Sequence, residues 1–137
     1  GVEKIAKLFK LQIKPKVALK DHNFINNFNK SEYLFICCHG RLILSTSLVS
    51  NINCINLHPC LYNYKGINPV KRLIADKNPK ASVASHWMIE QVDAGETIVE
   101  DFKMIENIET KTEAEVYAEL YPLYSEVLLK TLKKIKI

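Results

Sequence analysis

The sequence predicts an α/β fold, in which a mostly parallel sheet is flanked by helices and followed by a long C-terminal helix. Residues 33–38 form a continuous apolar run of strand length, typical of a strand covered on both faces in a parallel sheet. Residues 54–58 form a second strand candidate that ends in polar side chains. Thr112 and Glu115 form a capping box ahead of a long amphipathic stretch. Together these features favour an α/β architecture.

The chain before residue 33 predicts a helix, a short strand and a second helix. Apolar residues at helical spacing over residues 2–11 predict the first helix, which Pro15 ends. Residues 16–19 are a short strand candidate. Asp21 then suits the N-cap of a helix with Phe24, Ile25 and Phe28 on one face.

The rest of the chain alternates short helices with strands. The expected elements are a connecting helix at 47–50, the strand at 54–58, a loop at 62–66, a helix at 69–75 with Pro69 in its first turn, and strands at 82–89 and 97–103 around a turn at Val92–Gly95. The C-terminal helix has one apolar face, made of Val116, Leu120, Val127, Leu128, Leu132 and Ile135. Pro122 should kink this helix or divide it in two.

Composition limits the function classes. The chain has 137 residues, 47% of them hydrophobic, and no linker or repeat, so we expect residues 1–137 to form a single domain. Only two of its 19 basic residues, Arg41 and Arg72, are arginines, and this disfavours a nucleic-acid partner. No apolar run approaches the ~18 residues that cross a bilayer, so no membrane partner is expected.

The four cysteines do not have the spacing of a zinc site or of a secreted disulfide framework. Cys37 and Cys38 are adjacent, and Cys54 and Cys60 are six apart, with no Cys-x-x-Cys pair. We therefore expect reduced thiols, no metal and a cytoplasmic location, with Cys37 packed in a buried strand.

Three polar residues are not explained by the pattern of buried elements. Asn56 and His58 are two apart on one strand, so their side chains share a face, and they lie at its C-terminal end, where open α/β sheets bind ligands. Asp93 lies in a turn close to Gly95. An amide donor, an imidazole and a carboxylate are the groups that acyl transfer to an amine requires.

Each of these groups has a defined use in that reaction. A neutral amine attacks a carbonyl and creates a tetrahedral oxyanion, which an amide donor stabilises by about 2.7–4 kcal/mol. An imidazole can take or relay the amine proton, and a carboxylate can orient the imidazole or carry the proton through water. Spacing alone is weak evidence, because a histidine at a strand end is more often structural.

A longer motif resembles the formyltransferase superfamily. Cys54-Ile55-Asn56-Leu57-His58-Pro59 is followed by a loop ending at Gly66, then by Pro69, Ser85-His86-Trp87 and Val92-Asp93-Ala94-Gly95. The superfamily pattern is Asn-x-His-Pro followed by Val-Asp-x-Gly. The resemblance implies a Rossmann-like formyltransferase fold with Asn56, His58 and Asp93 as catalytic residues.

The stretch Cys38-His39 next to Arg41 resembles the branch that acylates nucleotide-linked amino sugars such as viosamine. The resemblance implies a donor pocket, a substrate loop and a role for His86, which could also orient the loop that carries Asp93. The donor-pocket residues are His39, Gly40, Arg41, Leu42 and His86. The substrate-loop residues are Tyr62, Asn63, Tyr64, Lys65 and Gly66.

The chain also departs from the superfamily pattern. The opening strand and helix of the family are not visible, so we expect a truncated sheet. Lys65 stands where arginine is common and can meet a phosphate only as a point charge. His39 replaces a small residue, which leaves the acyl donor open between 10-formyltetrahydrofolate and acetyl-CoA.

The sequence therefore predicts an N-acyltransferase that formylates or acetylates a 4-amino-4,6-dideoxy sugar linked to dTDP or UDP. Two alternatives stay open. One is a folate-dependent formyltransferase of purine or tRNA metabolism, and the other is a non-catalytic nucleotide-sugar-binding relic. A homodimer and a longer native polypeptide are also open.

Overall fold

The computed structural model describes residues 34–38 and 46–135, together with Lys4, Lys7, Leu8, Lys10 and Asn23. The elements predicted before residue 33, and the predicted donor-pocket residues from His39 to Leu42, lie outside these ranges.

The described strands form one four-stranded sheet in the order β1-β2-β3-β4. The strands are β1 (Leu34–Cys38), β2 (Asn53–Pro59), β3 (Lys80–Trp87) and β4 (Thr97–Met104). β1 pairs with β2 in parallel, as predicted, whereas β2–β3 and β3–β4 are antiparallel, so the described sheet is mixed. A loop at 88–96 turns β3 directly back into β4, and such short connections join antiparallel strands. Because β3 is buried on both faces, its apolar pattern does not indicate whether the strand runs parallel or antiparallel to β2.

The helices confirm most of the predicted boundaries. They are α1 (Thr46–Asn51), α2 (Pro69–Ala75), a 3₁₀ turn (Ile108–Thr110) and α3 (Glu113–Lys134). The capping box of Thr112 and Glu115 is formed. Pro122 lies inside α3 without dividing it, which corrects that part of the prediction. Pro122 is exposed, so water can satisfy the carbonyl group that its missing N–H leaves free.

The core lies between the sheet and the two helices α2 and α3. It includes Leu57, Val70, Leu73, Val83, Ile105, Val116, Leu120 and Val127. Cys37 is 7% exposed, as predicted for a packed thiol. Within 34–38 and 46–135, no helix is both long and apolar enough to cross a membrane. This packing fixes the ends of β2 and β3, which carry the polar residues of interest.

Candidate active site

Strand pairing brings three of the site residues onto one face of the sheet. Asn56 and His58 are alternate residues of β2, and Asn56 lies directly opposite His86 of β3. The pairing of β3 with β4 shifts register between Ser85 and His86. Such an irregularity increases the local twist and redirects a side chain. The side chains of Asn56, His58 and His86 therefore lie on the same face of the sheet.

The loop at 88–96 brings Asp93 back over the end of β3. The Trp87 amide donates to the carbonyl of Glu96 at 2.9 Å and so closes the loop. Asp93 has a left-handed backbone, with φ of 53°. A Cβ on Gly95 would lie 1.7 Å from the carbonyl oxygen of Trp87, so only glycine allows this close approach. The glycine of the Val-Asp-x-Gly motif is thus required by the turn that positions Asp93.

Asp93 lies between two histidines. Its Oδ2 atom is 3.1 Å from Nε2 of His58, and its Oδ1 atom is 3.5 Å from Nε2 of His86. The side chains are 9% exposed for Asp93 and His58 and 2% for His86. The Gly66 amide donates to Oδ2 of Asp93 at 2.8 Å. The carboxylate is therefore buried but well supplied with donors.

These contacts explain the acidity of Asp93. Hydrogen bonds from His58 and then His86 hold the pKa of the Asp93 carboxyl far below its usual value of 3.8, with a smaller effect from the Gly66 amide. Burial opposes the shift but is outweighed. Asp93 is thus an anion throughout the physiological pH range.

His58 is surrounded by oxygen acceptors. Its Nδ1 atom donates to the carbonyl of Pro59 at 2.8 Å, which directs Nε2 toward Asp93 and the carbonyl of Gly66, 3.2 Å away. When both ring nitrogens carry hydrogen, the ring can donate on each side. Both ring nitrogens of His58 therefore lie within hydrogen-bond distance of oxygen atoms.

His86 links Asp93 to Asn56. Its Nδ1 atom donates to the carbonyl of Trp87 at 3.0 Å, and its Nε2 atom is 3.3 Å from Nδ2 of Asn56. A neutral Nε2 accepts from the Asn56 amide, whereas a protonated Nε2 donates to Asp93. One N–H of the half-buried Asn56 amide is then oriented by His86, and the other is available to a ligand.

A cavity of about 360 Å³ lies at the start of β2, and its lining includes none of Asn56, His58, His86 and Asp93. Its walls come from α1, the start of β2 and the residues that follow His86. They are Val49, Ser50, Ile52, Asn53, Cys54, Trp87, Met88, Ile89 and Glu90. Its volume is in the range of small-molecule sites. The sequence analysis missed this cavity, because its walls converge only in the folded sheet.

The predicted substrate loop divides between the site and the rest of the fold. Gly66 contacts His58 through its carbonyl group and Asp93 through its amide. Tyr64 is 3% exposed and belongs to the core. The ring of Tyr62 packs edge-on against Phe102 rather than against Gly66. Asn63 and Lys65 are exposed.

The sequence matches the Formyl transferase family over residues 6–132. It is 30% identical over 118 residues to the methionyl-tRNA formyltransferase of Campylobacter jejuni strain 81-176, covering 84% of this chain and 37% of that protein. The chain thus spans about 37% of the length of this curated relative.

The solved structures of similar fold include two formyltransferases and HypX. A phosphoribosylglycinamide formyltransferase from Campylobacter jejuni has a TM-score of 0.76 at 24% identity, over 98% of this chain and 73% of that one. A sugar N-formyltransferase from Shewanella has a TM-score of 0.69 at 26% identity, over 85% and 46%. HypX from Aquifex aeolicus, in complex with tetrahydrofolic acid, has a TM-score of 0.73 at 16% identity, over 92% and 21%. With most of its length matched, the chain belongs to the formyl transferase family.

Proposed function

We propose that this chain carries a site that transfers a formyl group from 10-formyltetrahydrofolate to the primary amine of a nucleotide-linked amino sugar. The supporting observation is the convergence of Asn56, His58, His86 and Asp93 in one buried hydrogen-bonded group. The group contains a donor for an oxyanion, an imidazole that can carry a proton and an anion that stabilises the protonated imidazole.

The reaction is a direct transfer. The neutral amine attacks the formyl carbon, a new C–N bond forms, and the carbonyl π electrons move onto oxygen. The amine nitrogen then loses a proton. As the carbonyl re-forms, the bond from carbon to N10 of the folate breaks, and N10 receives a proton. The product is the N-formyl amine, and tetrahydrofolate leaves.

Each site residue has a defined role in this reaction. The N–H of Asn56 that does not face His86 donates to the developing oxyanion. His58 receives the amine proton, directly or through water, and the Asp93 anion, 3.1 Å from its Nε2 atom, stabilises the charged ring. His86 orients Asn56 when its Nε2 atom is neutral and holds Asp93 when that atom carries a proton. No serine or cysteine nucleophile is needed.

The cavity beside Trp87 supports the choice of donor. Its lining includes Cys54, two residues before Asn56 in β2, and Trp87, the residue after His86. It is large enough to take part of a folate, and HypX, which has a similar fold, binds tetrahydrofolic acid. Acetyl-CoA has no comparable support among the relatives, and it serves as the competing donor in the test.

The acceptor is proposed to be a 4-amino-4,6-dideoxy sugar of the viosamine type, linked to dTDP or UDP. The similar fold of a sugar N-formyltransferase from Shewanella supports this class. Asn63 and Lys65 are exposed next to Gly66. Lys65 can then face a nucleotide phosphate as a point charge.

A second candidate acceptor is methionyl-tRNA. The 30% identity to a methionyl-tRNA formyltransferase favours it. Only two arginines in the chain weigh against a tRNA partner within these residues.

The test offers the purified protein two donors and several amines. The donors are 10-formyltetrahydrofolate and acetyl-CoA, and the amines are dTDP- and UDP-linked 4-amino-4,6-dideoxyglucose, phosphoribosylglycinamide and methionyl-tRNA. Product masses distinguish formyl from acetyl transfer, and Asn56→Ala and Asp93→Asn are the matched controls. Formylation of an amino sugar, lost in both variants, supports the proposal. Formylation of methionyl-tRNA alone supports the second candidate, and acetylation or no transfer contradicts both.

A further inference from the structure

One peptide group connects helix α2 to the Asp93 carboxylate. The carbonyl oxygen of Lys65 accepts from Nη2 of Arg72 at 2.5 Å, and the N–H on the other side of the same peptide, that of Gly66, donates to Asp93 at 2.8 Å. A trans peptide is planar, and its C=O and N–H point in opposite directions. Fixing the carbonyl therefore fixes the direction of the N–H.

Arg72 is itself held in place. Its backbone amide donates to the carbonyl of Asn68, the N-cap residue of α2, and α2 is anchored in the core by the fully buried Val70 and Leu73. Its guanidinium carbon lies 5.7 Å from the centre of the Tyr64 ring. The Tyr64 hydroxyl in turn accepts from the Asn78 amide at 3.1 Å. The guanidinium that donates to the Lys65 carbonyl is thus held by helix α2 and by the Tyr64 ring.

Gly66 itself places little steric restraint on this peptide. Gly66 has φ of 85°, and no heavy atom lies within 4 Å of the place where a Cβ would stand. A glycine in open space permits the preceding peptide to rotate. Rotation would turn the Lys65 carbonyl toward the Asp93 carboxylate and remove a donor from it.

We infer that Arg72 is a positioning residue of the candidate active site. Its guanidinium holds the Lys65–Gly66 peptide so that the Gly66 N–H points at Asp93, and its charge polarises that peptide toward the carboxylate. The inference rests on the proposed function, because Asp93 is part of that site. Arg72 contacts neither Asp93 nor the histidines in the hydrogen bonds of the structure and acts through the peptide.

The test is amide hydrogen exchange at Gly66, measured by NMR in the wild type and in Arg72→Ala, Arg72→Gln and Lys71→Ala. Arg72→Ala should accelerate Gly66 exchange on the order of fivefold to tenfold, the net effect of about one hydrogen bond. Arg72→Gln keeps a neutral donor and should recover part of the protection. Lys71→Ala, at the neighbouring exposed position of α2, should leave Gly66 unchanged.

The amide of Ile105, which donates to the carbonyl of Pro79 at 2.8 Å in the core, reports global opening. The inference is overturned if Gly66 exchange stays at the wild-type rate in Arg72→Ala, or if Ile105 accelerates by the same factor. This readout needs no substrate, so it remains decisive if no acyl transfer is found. With a working assay, Arg72→Ala should lower kcat and leave the KM for the amine nearly unchanged.

Discussion

The Nε2 atom of His58 lies 3.1 Å from Oδ2 of Asp93, with each side chain only 9% exposed. A buried carboxylate without donors would be strongly unfavourable. The two groups therefore stabilise each other in the folded protein, and a change at either one alters the charge and hydrogen bonding of the other.

The first prediction concerns stability and pH. Folding lowers the pKa of Asp93 from 3.8, so its ionised form contributes stability above that value, and the contribution is lost as pH falls below it. Asp93→Asn should reduce the free energy of unfolding by about 1–3 kcal/mol at neutral pH. Urea unfolding should show the difference shrinking as the pH falls below about 4.

Asp101→Asn is the matched control for this experiment. Asp101 pairs with Lys130, which is 56% exposed, and such surface pairs contribute little. The variant should differ from the wild type by less than about 1 kcal/mol. A loss in Asp93→Asn that is constant from neutral to acidic pH would contradict the assignment of the shifted carboxyl.

The second prediction concerns Asn56. Replacing it by alanine removes the donor proposed for the oxyanion and should lower kcat by about 10²–10³-fold. The KM for the amine should change little, because the interaction forms mainly in the transition state. Steady-state kinetics with an unchanged melting temperature check this. A rise in KM at constant kcat would instead make Asn56 a ground-state binding residue.

The third prediction concerns His86, which contacts both Asn56 and Asp93 but is 1% exposed. His86→Ala should lower kcat by about tenfold to a hundredfold by displacing its two neighbours. His86→Gln can restore a donor toward Asp93 and should recover part of the activity. Equal losses in the two variants would indicate that packing, rather than hydrogen bonding, is what His86 supplies.

The fourth prediction compares two glycines. Gly95→Ala places a Cβ 1.7 Å from the Trp87 carbonyl oxygen, so the loop that carries Asp93 must move. Gly66→Ala meets no neighbour and costs mainly its positive φ, about 1–2 kcal/mol. Thermal unfolding should show a larger loss for Gly95→Ala, and transfer activity should fall with it. A Gly95→Ala protein with wild-type stability would contradict the described loop.

Much of the fold was predictable because its signals are local. The capping box at Thr112 and Glu115, Pro69 in the first turn of α2 and the strand at 54–58 each depend on neighbouring residues, and each was confirmed within a few residues. The direction of β3 does not follow from the residues of the strand itself. Its buried run suits either direction, and the loop at 88–96 decides it.

The candidate site was predictable in part for the same reason. The spacing of Asn56 and His58 sets their common face, and the structure brings Asp93, predicted from the Val-Asp-x-Gly motif, into contact with His58. The contact of His86 with Asn56 depends on strand register, and the donor role of Gly66 depends on a backbone group. Residue types do not indicate strand register or the direction of a backbone N–H, so both features became visible only in the folded structure.

The most direct test of the account is a double-mutant cycle on formyl transfer from 10-formyltetrahydrofolate, using wild type, His58→Ala, Asp93→Ala and the double variant. If the two side chains act as one unit, the double variant is as active as the less active of the two single variants. If the two losses multiply, or if the wild type transfers no formyl group to any amine offered, the account is wrong.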